Sequence, residues 1–452
     1  MVSLNTLCKN ILNVKDFSLS DATFVKDPSG VLHFIISVQL DKNVRNICPV
    51  CGRKCSAYDS PQKRPSRWRA LDWNGVIVEI ECSRSRVCCP EHGVRFAAVP
   101  WAYEGSRFTK DFDRAVAWMA CRLPKSSVAA YMRINWATVG RCISRTRDEI
   151  EPDPSVRFDN LVHIGIDETS YRKGHKYLTV VVDHDTGSVV WAGDKHGKEV
   201  LSGFFKLLTP EQRASIRIVT GDGARWITEC VEEYLPNCER CVDTFHVVEW
   251  ANAAADTVRL DSWRDAVRKA EQLRKETPRT RGRPPQGIEP TPADKAEKFA
   301  REIKGAGYAL GKAPENLTEN QRRRIEIIQV KDKRLYRAYV LKESLRLILH
   351  MPDAEEAAKE LKGWLWRASH SRITAFCELY RKIKRHKDHI LNTIRYGLSN
   401  ALVESVNNKI KLLIRKAYGF RNVQHMLDMI LLVCSELVIP LPNRGNPNVL
   451  YC

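Results

Sequence analysis

The run Leu161-Val162-His163-Ile164-Gly165-Ile166-Asp167-Glu168 constrains the fold most: an apolar stretch of strand length that ends in acid. Two more such runs follow, Lys176–Asp183 and Ser188–Ala192, separated by the turn Asp185-Thr186-Gly187. Strands joined by short turns predict an antiparallel meander. The period then changes. A helix is expected over 198–208, then the strand Ile216–Thr220 runs into Gly221-Asp222-Gly223. A helix over 224–235 leads to a short strand ending at Asp243, and a further helix opens near Phe245.

The order β-β-β-α-β-α-β is that of a ribonuclease-H-like domain. In that fold the first and fourth strands are neighbours, which predicts that Asp167 and Asp222 lie close together. Two carboxylates so placed repel each other unless a divalent cation sits between them. Mg (or Mn) prefers such hard oxygen ligands, and a pair of these ions suits in-line displacement at phosphorus. For a third carboxylate, Asp183 and Asp185 are near in sequence but fall at a hairpin end. Glu404 is the better candidate. In Ser399–Lys411, Val403, Val406, Ile410 and Leu413 form a core-facing stripe, while Glu404, Asn407, Asn408 and Lys411 share one polar face. That face suits a metal beside DNA phosphate. It equally suits a solvated face with a helix salt bridge.

Upstream, Cys48-Pro-Val-Cys51-Gly52 and Cys89-Pro-Glu-His92-Gly93 stand about forty residues apart, each closed by glycine and separated by strand-like runs. Paired knuckles predict a zinc ribbon with Cys48, Cys51, Cys89 and His92 as ligands and Cys88 as a substitute. Reduced cysteines without metal are the alternative. Cys121, Cys142 and Cys434 sit in apolar surroundings and read as small core residues. A hairpin is expected within residues 1–40. Residues 106–150 have helical period, with a break at Leu123–Ser127, Ser126 or Ser127 as N-cap, and a second helix from about Trp136. This is a helix-turn-helix pattern. It offers Arg141, Arg145 and Arg147 to DNA, or is an ordinary three-helix unit with a basic face. Pro152 and Pro154 mark a linker.

Between His246 and Tyr396 the chain is charged and mostly helical. Pro278–Pro285 resembles an AT-hook, with Arg281 and Arg283 flanking Gly282 for a narrow minor groove; a basic flexible loop is the other reading. Arg322-Arg323-Arg324 reads as a solvated face, and Trp364 and Trp366 as core. The 73 Lys+Arg against 54 Asp+Glu give a formal charge of +19, which favours a polyanion, with nucleic acid ahead of an anionic membrane surface. No secretory signal or membrane-spanning run is expected.

Taken together, these segments resemble the ISL3 family of bacterial insertion-sequence transposases, of the Asp-Asp-Glu type. The resemblance rests on both knuckles, Gly165–Glu168, Gly221–Gly223, Val242–Val248, Leu335–Glu343, Tyr396–Lys411 and Tyr418–Arg421. It implies that Asp167, Asp222 and Glu404 are a metal-binding catalytic triad. Asp243 and His246 resemble an Asp-x-x-His signature that positions DNA or the active site, or forms a satisfied polar pair. Family members often carry Arg at the position of Leu402 and Gly at that of Ser405, a departure beside the catalytic Glu.

The expected fold is multidomain α+β. Residues 1–40 form a β segment, 41–101 the zinc ribbon and 105–150 the helix-turn-helix. The ribonuclease-H-like core spans 158–254 and 388–436, interrupted by an all-α insertion at 255–387 and followed by a tail at 437–452. The expected function is a DNA transposase, cytoplasmic and nucleoid-associated, that binds terminal inverted repeats. It would cut and join double-stranded DNA with Mg or Mn, as a homodimer or larger synaptic complex, using Asn408 and Lys411 beside Glu404 for DNA. The alternatives are a catalytically inactive DNA-binding regulator, or a ribonuclease-H-like nuclease or resolvase.

Overall fold

The computed structural model describes residues 3–276 and 289–441. The Arg281 and Arg283 reading lies outside the described residues.

The centre is a five-stranded sheet. Across it run Val189–Asp194, Lys176–Asp183, His163–Arg172, Ile218–Gly221 and Glu239–Val242, in that order. The first three are antiparallel neighbours, and the last two join parallel, with Val219 opposite Ile164 and Thr220 opposite Gly165. The apolar runs lack alternation because both sheet faces are covered. Ile164, Ile166, Val181 and Val219 pack on one face with Leu201, Phe204, Phe205 and Ile227. Leu178, Val180 and Val182 pack on the other with Val403, Ile410 and Met429. A helix absent from the sequence expectation, Pro210–Ser215, precedes the fourth strand, and Thr209 and Gln212 form its capping box.

The helix Thr244–Glu276 starts directly after the fifth strand and continues into the α-helical insertion. The expected boundary at 254/255 therefore falls inside one continuous helix. The insertion has its own core around Leu335, Leu345, Leu361, Trp364 and Phe376, which reaches the sheet edge at Val242 and the start of the long helix at Val247. Trp364 is fully buried and its indole N–H donates to the Leu341 carbonyl (2.8 Å). Trp366 departs from expectation. It is 65% exposed and stacks on His370, because two residues along a helix turn a side chain to the opposite flank.

Lys110–Ala120, Lys125–Tyr131 and Trp136–Ile150 are the three helices ahead of the sheet. Asn135 caps the third through the Ala137 N–H, whereas Pro124, not Ser126 or Ser127, occupies the N-cap position of the second. Phe112, Val128, Val139, Cys142 and Ile143 share one core with the sheet, Met426 and Cys434, so this unit is not packed independently. Cys142 and Cys434 are core residues as expected, and half-buried Cys121 packs against the same core.

Lys125 is buried at this junction, its ammonium over the rings of Trp136 and Phe420. Burial pulls its pKa down to about 8. Since the unfolded chain holds that proton more tightly, stability should rise as pH increases from about 8 to the ordinary lysine value. Lys125→Met should remove a penalty on the order of 2 kcal/mol at neutral pH and flatten that rise. Thermal denaturation from pH 7 to 10 checks this; a lower midpoint for the variant at pH 7 would contradict it.

The N-terminal region holds a helix not anticipated from sequence, Leu4–Leu12, and two sheets. Phe17–Lys26 and Leu32–Leu40 form the expected hairpin. Leu32–Leu40 also pairs in parallel with Ile77–Cys82, which pairs with Ser66–Arg69. The division expected at residue 40 thus cuts through one sheet and one core, containing Phe34, Ile36, Trp68, Val78 and Trp101. The second sheet, Ser56–Ala57, Arg86–Cys89 and Gly93–Phe96, carries the second knuckle, and the bridge between Ile47 and Lys54 closes the first. Among the described residues no helix is long and apolar enough to cross a membrane.

Candidate active site and metal centre

Asp167 lies in the central strand and Asp222 directly follows the adjacent parallel strand. Asp243 directly follows the next strand, and Glu404 lies in the first turn of the helix Ala401–Lys416. That helix is seated against the central strand at Gly165, where an added Cβ would lie 2.4 Å from Val403 Cγ2 and 2.8 Å from His184 Nε2. Only glycine permits this approach. Gly165→Ala should cost about 1–3 kcal/mol by pushing the helix away, read as a lower melting midpoint together with weaker catalysis. An unchanged midpoint would mean that the helix seats elsewhere.

Two hydrogen-bond links fix the helix. Asn407 Nδ2 donates to Asp167 Oδ2 (2.7 Å), from one turn beyond Glu404. At the helix start, Thr220 Oγ1 donates to Asn400 Oδ1 (2.8 Å) and lies 2.7 Å from His184 Nε2. Because the threonine proton goes to Asn400, the imidazole must donate to the hydroxyl; burial holds His184 below its ordinary pKa, in the neutral form. Of the four polar residues on this face, Asn407 is buried, while Glu404, Asn408 and Lys411 are exposed.

Burial raises the pKa of Asp167, and the nearby Asp222 charge adds to the rise. Burial likewise raises Asp243, which also feels the Glu404 carboxylate. His246 acts in the opposite direction on both Asp167 and Asp243. Asp243 Oδ1 accepts from the Phe245 N–H (3.2 Å), and His246 Nδ1 lies 3.2 Å from Glu249. Asp183 closes its strand and Asp185 lies in the hairpin turn, at the hairpin end expected for both. Asp183 accepts from Thr186 Oγ1 (2.9 Å) and Asp185 pairs with His163 (2.8 Å).

Three contributors escaped the sequence reading. Glu168 joins the acidic group and pairs with His196 (3.3 Å). Arg240 is buried on the fifth strand, and its guanidinium donates to the backbone carbonyls of Val219, Cys241 and Asp222. It stitches together the strand ends that carry Asp222 and Asp243. Lys382, from the insertion, lies over the Trp250 ring and feels the Asp222 charge. None has a local signal beyond a charged residue in an amphipathic segment.

The knuckles form a compact donor set. Cys48, Cys51, Cys89 and His92 are the only group among the described residues whose ligand atoms all lie within 4.8 Å of one another. The carboxylates of the sheet are not drawn that tightly. Cys51 Sγ and Cys89 Sγ are 3.7 Å apart, and His92 Nδ1 lies 3.5 Å from Cys89 Sγ and 3.9 Å from Cys48 Sγ. Tetrahedral zinc with ordinary Zn–S and Zn–N lengths needs separations of about 3.5–3.8 Å. The donors fit. Exposed Cys88 lies outside the set.

Of the helix-turn-helix arginines, Arg141 is exposed. Arg145 forks onto buried Asp113 (2.7 and 2.8 Å), and Arg147 lies among Asp148, Glu151 and Asp428. The expectation that all three are available to DNA is corrected for these two, whose charges are committed within the protein.

The family model described as "Transposase", of the DDE ISL3 type, matches residues 164–430, from the central strand through the Glu404 helix. The chain belongs to the ISL3 family of transposases. A second model, "Helix-turn-helix domain of transposase family ISL3", matches residues 97–146, the three-helix unit. The transposase for insertion sequence element IS1557 of Mycobacterium tuberculosis, in strains CDC 1551 / Oshkosh and ATCC 25618 / H37Rv, is 43% identical over 429 residues, covering 95% of both chains. The transposase for insertion sequence element IS1001 of Bordetella parapertussis is 26% identical over 384 residues, covering 84% of this chain and 86% of that one. For an ISL3 transposase, DNA binding, cleavage and strand transfer are the expected activities, and the DDE domain implies a divalent metal.

Proposed function

We propose that this transposase recognises the terminal inverted repeats of its insertion sequence and cuts and joins DNA at Asp167, Asp222 and Glu404. The observation that carries the reading is the Asn407–Asp167 hydrogen bond, which ties the Glu404 helix to the strand beside Asp222. A strand order of three antiparallel neighbours followed by two parallel ones supports a ribonuclease-H-like core. Asp167, Asp222 and Glu404 would hold Mg or Mn, whose chemistry there is polarisation of the phosphodiester and activation of the attacking oxygen. The protein's own share is positional. Asn407 orients one Asp167 oxygen, Arg240 fixes the Asp222 backbone, and exposed Asn408 and Lys411 extend the Glu404 face toward the DNA backbone. Hydrolysis of a phosphodiester leaves a 3′-hydroxyl, and attack of that hydroxyl on target DNA exchanges one P–O bond for another. Asp243 and His246 act as positioning groups among the acids.

Cys48, Cys51, Cys89 and His92 hold zinc in this reading, and the ribbon and helix-turn-helix bind the repeats. Two ends must meet, so the working form is a dimer or larger synaptic complex. The test is purified protein with the DNA that flanks its gene, with and without Mg or Mn. Metal-dependent nicking at the repeat ends is the expected result. Tight end binding without cleavage, by protein with verified zinc, would overturn the catalytic part and leave a DNA-binding regulator, with Leu402 and Ser405 as the positions to examine. Metal-dependent cutting indifferent to the repeats would point instead to a nuclease.

A further inference from the structure

Between the knuckle sheet, the N-terminal sheet and the first helix of the helix-turn-helix unit lies a cleft of about 900 Å³. Five cations line it, Arg67, Arg84, Arg95, Arg107 and Lys110, against one acid, Glu104. Arg67 pairs with Glu81 (2.6 Å) and Arg95 with Glu104 (3.4 Å), both with exposed arginine side chains. Among the described residues neither Arg107 nor Lys110 has a carboxylate within ion-pair distance, and Lys110 instead lies over the Tyr103 ring. Arg84 is held between the rings of Trp68 and Phe96, 5.1 and 5.0 Å from their centroids, and donates to the Ala97 carbonyl (3.0 Å). Its buried Nε has no hydrogen-bond partner. The side chain is half-buried and, among the described residues, has no carboxylate within ion-pair distance, so its charge is available to an incoming anion.

We infer that this cleft is the seat of the DNA backbone at the element end, with Arg84, Arg107 and Lys110 as phosphate contacts. The inference deepens, and rests on, the proposed end-binding reading. Arg145 and Arg147 are occupied by Asp113, Glu151 and Asp428, so the carboxyl half of the third helix has little charge to offer. The cleft joins the zinc ribbon to the helix-turn-helix unit, so one strand of duplex can touch both. Its cations carry no base-reading geometry. They contribute affinity and register, while sequence is read elsewhere.

Arg107→Gln with Lys110→Gln is the test, because Arg107 is exposed and neither side chain is part of a helix cap. Binding to a flanking-end duplex and to an unrelated duplex is measured across salt concentrations. The double variant should bind both DNAs more weakly, with the log–log salt slope smaller by about 1.8 for two lost phosphate contacts. Arg264→Gln with Arg268→Gln removes the same charge from the insertion, where both side chains are exposed, and should leave the slope near wild type. A folded cleft variant with wild-type affinity and slope, or one no weaker than the insertion variant, overturns the inference. If the wild-type protein itself fails to prefer its flanking ends, the end-binding reading has failed, a result distinct from either.

Discussion

Asp222→Asn should reduce DNA cleavage by roughly a thousandfold or more while leaving end binding and folding intact. The substitution is close to isosteric. Asp222 Oδ1 accepts from the Ala224 N–H (2.9 Å), and an amide oxygen accepts the same bond. Arg240 holds the backbone carbonyl, not the side chain, so that link also survives. What changes is charge: the site loses one anionic oxygen that the proposed metal would need, and Asp167 loses the like charge that helps to raise its pKa. Cleavage of end DNA in Mg or Mn, gel-shift affinity and a melting curve together check the prediction. Undiminished cleavage would remove Asp222 from the site. Lost binding alongside lost cleavage would show that the change had damaged more than chemistry.

Removal of one of the proposed zinc ligands should have the other large effect. None of the residues of the strands Ser56–Ala57, Arg86–Cys89 and Gly93–Phe96 belongs to the four apolar cores, and the first strand has two residues. A sheet this small does not stand alone in water. Structural zinc supplies about 10–16 kcal/mol in small zinc domains, far more than such strands gain by burial. Cys89→Ser should therefore release zinc, speed proteolysis within residues 45–98 by roughly tenfold or more, and weaken end binding by a similar factor. The melting of the sheet domain should barely move, because its cores lie elsewhere. Zinc content, limited proteolysis and binding read the three consequences separately. Unchanged end binding after verified zinc loss would take the ribbon out of DNA recognition.

The main strands were legible because each is a short apolar run closed by turn residues, and their order left one arrangement that places Asp167 beside Asp222. The knuckles were legible because glycine-closed pairs at matching spacing have few other uses. Asn407 was read as one of four polar residues on a helix face. That it turns inward to Asp167 depends on a partner 240 residues away. Arg145 and Arg147 were misread for the same reason, since Asp113 and Asp428 lie on other helices. The boundaries expected at 40 and 254 follow the order of elements along the chain, which carries no information on pairing between distant segments. Strands Leu32–Leu40 and Ile77–Cys82 pair across the first, and one helix runs through the second.

The sheet strands, the helix-turn-helix pattern, the paired knuckles and the acids at strand ends are readable along the chain, because backbone period, turns and ligand spacing are local properties. Which charges remain free depends on contacts between distant segments. Long arginine and amide side chains reach whatever acid or carbonyl folding brings near. Arg145 and Arg147 are thereby neutralised inside the protein, while Arg107 and Lys110 line a cleft whose one lining acid, Glu104, pairs with Arg95.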